Sequence, residues 1–353
     1  MEQPVALPGV TSSFVETPRL RIHLLSAGPA DGAPVVFLHG NLAAATYWEE
    51  TMLALPAGFR GLAPDLRGYG QTEDRPVDAT RGPRDWADDL EALRLALGLE
   101  SWHLVGWSLG GLAAMQYLLD HAPAVRSLTL VAPGSPYGYG GTKDLAGTPV
   151  NPDCSGTGAG AAAANAELIQ RLAAGDRSAD PGSPRQALLA MYKAPFRPPR
   201  EEDLLTATLA TKMGPDRFPG DYVASAYWPF VAPGRWGPAN AISPKYCRLD
   251  NLPAVEPKPP VLWVRGSHDL TVSDMAMGDF GALGKLGLVP GWPGEEAYPP
   301  QPMLAQTRAV LDRYQAQGGR YREVVIADAA HAPHIEKPAE FGAAFHEFLR
   351  RDA

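Results

Sequence analysis

Ser108 sits in the stretch LVGWSLGG, residues 104–111, with Gly106, Gly110 and Gly111 around it. A serine hydroxyl is a weak nucleophile at neutral pH. It becomes effective when a base takes its proton and a third group orients that base. Donors must also await the oxyanion that forms when a carbonyl is attacked. Gly-x-Ser-x-Gly arises by chance in glycine-rich chains, but it is also the pattern of a sharp strand-to-helix turn. Small residues are needed there because strand and helix come close. The apolar run SWHLVG before Ser108 and LGGLAAMQYLLDHAP after it provide that context. Such a turn calls for an acid and then a histidine, each just beyond a later strand. Asp269 follows the run VLWVRG and His331 follows VVIAD, so the order along the chain is Ser, Asp, His.

These residues need elements to hold them. RLRIHLLSA (19–27) reads as a strand, and PVVFLHG (34–40) is a continuous apolar run ending at glycine, as a strand buried on both faces would be. FRGLAPDLRG (59–68) is a weaker strand ending in a polar turn. DWADDLEALRLALG then places Trp86, Leu90, Leu93 and Leu97 at helical spacing, with Gly98 suited to end the helix. SWHLVG and VRSLTLVAP are strands flanking the helix that follows Ser108. The alternation stops at Gly134 and resumes at PPVLWVRG (259–266). A helix near 303–317 carries Met303, Thr307, Val310 and Tyr314 on one face. YREVVIAD (321–328) is the last strand, and the final helix, from Pro338, lines up Phe341, Phe345 and Phe348. Strand and helix in turn predict an α/β fold, with a mostly parallel sheet flanked by helices. Every candidate residue then lies at a C-terminal strand end, where open parallel sheets bind ligands.

The core is expected at 1–133 and 259–353, interrupted by a block at 134–258 rich in Gly, Pro, Ser and Ala. That block suggests two or more helices with long loops and no clear strand. A shorter expansion containing LGLVPGWPGEEAYPPQP reads as irregular loop, and GAGAAAA is a loop running into a helix.

Five motifs in this order resemble the α/β-hydrolase superfamily over nearly the whole core: FLHGN, PDLRGYGQT, GWSLGG, GSHD and HAPHIEKPAEF. The resemblance implies a Ser108, Asp269 and His331 triad. It also implies an oxyanion hole from the backbone N–H groups of Leu109 and Asn41, with Leu42 the fallback for the second donor. It makes 134–258 an inserted, mainly helical cap domain over the site. Asp274 lies farther from its strand end than the family pattern places the acid, and Asp328 precedes the histidine, at the edge of a strand. His334 is read as a residue supporting His331, and His39 as packing beneath the oxyanion loop. His331 and His334 lack an obvious third metal ligand. Arg67 is expected to pair with a nearby carboxylate. Trp107, Tyr137, Tyr139 and Leu42 are the candidate substrate contacts, the tyrosines because GSPYGYGG directly follows a strand.

Serine at the elbow, where dehalogenases and epoxide hydrolases of the superfamily carry aspartate, points to acyl transfer. A carboxylic ester or lactone of a small to medium organic molecule is the expected substrate, with thioesters and amides chemically compatible. C–C cleavage of a ring-cleavage diketone is the alternative chemistry. A non-catalytic small-molecule binding protein on the same fold is the alternative class, since fold does not fix function.

Composition narrows the partners. The chain has 353 residues and a formal net charge of −8, with no Lys/Arg cluster. Nucleic acid and anionic membrane are therefore not expected as partners. Cys154 and Cys247 have neither metal-like nor redox-like spacing, so no disulfide framework, metal site or cofactor is expected. The start MEQPVALPGVTSSF lacks a basic region followed by an apolar run, and no stretch is long enough to span a membrane. A soluble cytoplasmic protein is the expectation, and the sequence leaves a homo-oligomer open.

Overall fold

The computed structural model describes residues 5–162 and 165–351. The first residues of the N-terminal stretch and the last two of GAGAAAA lie outside them. Eight strands form one sheet: β1 (Val10–Glu16), β2 (Arg21–Ala27), β3 (Ala33–Leu38), β4 (Phe59–Pro64), β5 (Trp102–Trp107), β6 (Val125–Val131), β7 (Val261–Gly266) and β8 (Tyr321–Ile326). Their spatial order is β1-β2-β4-β3-β5-β6-β7-β8. β1 and β2 run antiparallel to their neighbours, and every other pair is parallel.

The helices that matter for the site are α1 (Arg84–Ala96), α2 (Leu109–His121), α3 (Ala166–Ala173), α4 (Pro184–Leu189), α5 (Glu201–Leu209), α6 (Met303–Ala316) and α7 (Pro338–Arg351). The continuous apolar strands are explained by cover on both faces. Val36, Leu38, Leu104, Leu128, Leu130 and Trp263 point into a core shared with α1, α2 and α6. Their strand neighbours Val35, Phe37, Val105, Val131, Leu262 and Val264 point into a second core closed by α7. Each fully buried side chain of this size stabilises the fold by about 1.5–3 kcal/mol before entropy is counted. The α7 stripe does what its spacing predicts, with Phe341 and Phe345 stacked at 5.5 Å and Phe345 edge-on to Phe37.

Three features differ from the sequence reading. The N-terminal stretch forms the edge strand β1, which the sequence hides because VTSSFVE is largely exposed and carries no apolar face. The 134–258 block holds short strands beside its helices. Met213–Gly214 pairs with Phe218–Pro219, and Tyr222–Ala224 pairs with Val231–Pro233. Two or three residues are too few to show an alternation. The expansion after β7 also holds a short helix, Phe280–Lys285, started by the side chain of Asp279.

The 134–258 block is seated on the core by polar contacts. Tyr47 Oη and Thr208 Oγ1 are 2.9 Å apart, and Arg200 Nη1 lies 3.1 Å from the buried Glu49 carboxylate. The N–H of Lys212 donates to Gly68 O and the N–H of Gly237 donates to Val77 O, both at 2.9 Å.

Candidate active site

β5 ends at Trp107 and α2 begins at Leu109, leaving Ser108 alone in the turn with φ +55° and ψ −117°. A non-glycine residue there carries on the order of 1–3 kcal/mol of strain, so the surroundings must impose it. They do so on both sides. Ser108 N–H donates to Val131 O at 3.0 Å, and Ser108 O accepts from Gly111 N–H at 2.9 Å. A Cβ on Gly106 would stand 2.3 Å from Gly110 O, and one on Gly110 would stand 2.4 Å from Leu38 O. Only glycines let strand, turn and helix approach this closely. Ser108 remains partly exposed in an otherwise buried stretch.

Leu109 is the first residue of α2, so its N–H has no intrahelical acceptor and lies at the positive end of the helix dipole. The loop after β3 comes up beside it. A Cβ on Gly40 would lie 3.2 Å from Ser108 Cβ. Beyond Gly40, Asn41 Oδ1 accepts from Tyr69 Oη at 2.7 Å, and Leu42 adopts φ +53°. His39 anchors the loop from below. Its Nε2 accepts from Leu66 N–H at 3.0 Å, which leaves Nδ1 to donate to Gly40 O at 2.8 Å. Burial lowers the pKa of this ring below its ordinary value despite the opposing pull of Asp65.

Asp269 and His331 meet. His331 Nδ1 donates to Asp269 Oδ2 at 2.9 Å, and both side chains are 2% exposed. The other carboxylate oxygen accepts from the N–H groups of Thr271 (2.8 Å) and Val272 (2.9 Å). The carboxylate is thereby fixed in rotation, which fixes the ring in turn. The competing aspartates do other work. Asp274 accepts from Leu304 N–H at the start of α6, and the exposed Asp328 pairs with Lys193.

An aromatic layer backs the histidine. Trp107 Nε1 donates to His331 O at 2.8 Å, and Tyr47 stacks on Trp107 at 5.4 Å. His334 lies flat on Trp48 at 4.2 Å and edge-on to Trp107 at 5.1 Å. Neither of its ring nitrogens has a hydrogen-bond partner. Burial, aided by the nearby His331, pushes its pKa down to about 3, so it is a neutral plate at physiological pH. Among the described residues no group of His, Cys, Asp and Glu could hold a metal ion, and both cysteines are free and buried.

The candidate contact residues fall in different places. Trp107 is fully buried beside Ser108. Tyr137 is 1% exposed in the core and accepts from Arg313 Nη2 at 3.2 Å. Tyr139 donates to Thr271 O at 2.7 Å, so it braces the loop that carries Asp269. Leu42 packs against a cluster of Leu172, Leu205 and Phe218 in the 134–258 block. Phe218 of that cluster also lines an apolar cavity of about 480 Å³, together with Ala166, Ile169, Ala173, Met213 and Tyr222, and Ser108, Asp269 and His331 are not among its lining.

Sequence reasoning assigned no role to two contacts. His331 N–H donates to Met191 O at 3.0 Å, which ties the histidine to the 134–258 block. Glu336, the acid of HIEKP, accepts from Ala330 N–H through one oxygen and from Lys193 N–H through the other, both at 2.8 Å. Burial raises its pKa against the pull of these N–H groups. The motif itself was the available signal for Glu336. A backbone acceptor such as Met191 O leaves none.

The fold and the elbow decide the family. The chain belongs to the alpha/beta hydrolase fold family, whose model matches residues 33–296. An uncharacterised carboxylesterase, nap, of Bacillus subtilis strain 168 is 30% identical over 36% of this chain and 42% of its own length. A haloalkane dehalogenase of Mycobacterium marinum is 30% identical over 36% of this chain and 43% of its own length. The matched stretches thus span less than half of either relative. Among solved structures, a thermophilic esterase from Thermogutta terrifontis superposes with a TM-score of 0.59 at 20% identity, covering 97% of this chain and 98% of that one. Among the described residues no helix is long and apolar enough to cross a membrane.

Proposed function

We propose that the protein is a serine hydrolase that cleaves a carboxylic ester or lactone of a small to medium organic molecule through an acyl-enzyme. The observation that carries this reading is the buried 2.9 Å bond between Asp269 and His331, whose backbone O accepts from Trp107, the residue before Ser108 on its strained elbow. With Nδ1 committed to Asp269, His331 Nε2 is the nitrogen left to take the Ser108 proton. Ser108 Oγ attacks the carbonyl carbon, and the backbone N–H groups of Leu109 and Asn41 receive the oxyanion. His331 returns the proton to the leaving alkoxide, and water then releases the acid. The 134–258 block serves as the cap. The carboxylesterase named among the relatives agrees with ester chemistry.

A fluorophosphonate probe and an ester panel run beside a ring-cleavage diketone test this. The adduct is expected on the tryptic peptide 95–126, which contains Ser108. Ser108→Ala should abolish that adduct and lower ester turnover by about 10⁴–10⁶. An unlabelled native Ser108, or turnover of the diketone alone, would overturn the proposal.

A further inference from the structure

A second Ser–His–Asp set lies at the far edge of the sheet. His23, on β2, donates from Nδ1 to Asp65 Oδ2 at 2.7 Å, and its Nε2 stands 2.8 Å from Ser12 Oγ on β1. With Nδ1 given to the carboxylate, Nε2 of the neutral ring accepts from the Ser12 hydroxyl. Ser12 is exposed, while His23 and Asp65 are each 3% exposed. Asp65 is held as firmly as Asp269. Its carboxylate accepts from the N–H groups of Ala45 (2.8 Å) and Gln71 (2.7 Å), and His23 N–H donates to Thr72 Oγ1 at 3.0 Å. Burial alone would raise the Asp65 carboxyl. The hydrogen bond and charge of His23, the charge of His39 and the Ala45 N–H outweigh it and hold the pKa below its usual value.

Chance and architecture both explain a histidine–aspartate pair in a core. They do not require that its free nitrogen end on an exposed serine. A further group stands nearby. Gln71 brings its amide Nε2 to 3.5 Å from His23 Nε2, a long contact at the same nitrogen that Ser12 Oγ meets. The amide is a side-chain N–H donor of the kind that can serve an oxyanion. The Phe14 ring, 5.2 Å from the His23 ring, forms a wall, with the Arg21 guanidinium 3.8 Å from its centre. Among the described residues no strand lies outside β1 in the sheet, so this edge is open.

We infer that Ser12, His23 and Asp65 form a second, unroofed nucleophilic site that takes small, activated acyl donors. Ser12 Oγ attacks the carbonyl carbon while its proton passes to His23 Nε2. Gln71 Nε2 donates to the oxyanion. The carbon–oxygen bond to the leaving group breaks, the leaving group departs with the proton from His23, and Ser12 is left as an ester that water can hydrolyse. Ser12 and His23 are the reacting residues, and Asp65 positions His23. With only a side-chain oxyanion donor and no cover, the site is slow and serves reactive acyl groups rather than stable esters.

The test uses the full-length Ser108→Ala protein, which silences the first site. Fluorophosphonate labelling followed by fragment mass spectrometry of tryptic peptide 1–19 distinguishes Ser12 from its neighbour Ser13. Ser13 is the internal control, because its hydroxyl donates instead to Leu24 O at 3.3 Å. The adduct is expected on Ser12 over Ser13 by about tenfold or more, and to vanish in Ser12→Ala. His23→Gln should slow it about 100-fold, the lower end of general-base contributions. Gln71→Ala leaves the Ser12–His23–Asp65 bonds in place and should slow it about tenfold. It decides the matter if His23→Gln fails to fold. No adduct on peptide 1–19, equal labelling of Ser12 and Ser13, or an unchanged rate in Gln71→Ala overturns the inference. The reading of Ser108 stands or falls separately, on peptide 95–126.

Discussion

His331 and His23 each give one ring nitrogen to a buried aspartate, at 2.9 and 2.7 Å; Ser12 meets the second nitrogen of His23, and Ser108 is the serine proposed for His331. The backbones that hold the serines differ. Ser108 is forced to φ +55° at a helix N-terminus, with the 134–258 block bonded to its histidine. Ser12 lies in a flat edge strand, in register with Leu25, with solvent on its outer side. The first arrangement places a helix N-terminus and the 134–258 block next to the serine's segment, the second neither. On the proposed readings, the contrast separates a serine that turns over unactivated esters, with a strained turn and a roof, from one that reacts only with activated acyl donors.

Replacing each aspartate by asparagine breaks the comparison most sharply. Asp269→Asn should lower kcat by about 10⁴ with little loss of stability, because the ring is then held in the wrong tautomer. Asp65→Asn should instead lower stability by on the order of 3 kcal/mol, because Ala45 and Gln71 donate to different oxygens of Asp65 and an amide must face one of them, whereas Thr271 and Val272 share one oxygen of Asp269. Steady-state kinetics beside chemical unfolding separates the two. Equal effects of both changes on kcat would erase the distinction.

The roof is tested by Glu336→Gln. Glutamine keeps one acceptor, but its amide would face a backbone N–H, at Lys193 or at Ala330. The expected results are a rise in KM of several-fold, a smaller fall in kcat, and a loss of as much as about 3 kcal/mol in stability. A variant with native KM would remove the 190–193 segment from the site.

The smallest effect concerns the plate behind His331. His334 is held down to about pH 3 by burial, against an ordinary 6.5. Between those values the unfolded chain binds a proton that the folded protein refuses, so stability falls as pH drops through the window. His334→Phe removes this dependence and two unpaired nitrogens. It should leave kcat nearly unchanged and gain on the order of 2 kcal/mol at pH 5 relative to the native chain. Melting curves from pH 7 to 4 check it, and parallel curves for the two proteins would count against the assignment.

Much of this was legible before any coordinates. Strands buried on both faces announce themselves as apolar runs, and the three α7 phenylalanines announce a stripe. β1 was hidden because an exposed edge strand of Thr and Ser has no pattern to display, and the second serine set went unseen with it. Ser12, His23 and Asp65 share no motif, and only the antiparallel register of β1 on β2 brings Ser12 to His23. Tyr139 is expected among the substrate contacts because it follows a strand; its hydroxyl bond to Thr271 O is a contact the sequence gives no sign of. The aromatic layer of Tyr47, Trp48, Trp107 and His334 joins distant segments, and composition alone cannot pair them.

The indole of Trp107 has a consequence for synthesis. Its bond to His331 O joins positions 224 residues apart, one residue away from Ser108. A chain emerging from the ribosome can complete β3, β4, β5 and the elbow long before β8 exists. The elbow then stands without His331. On the proposed mechanism, activity therefore arrives in a single late step, when the segment that follows β8 docks.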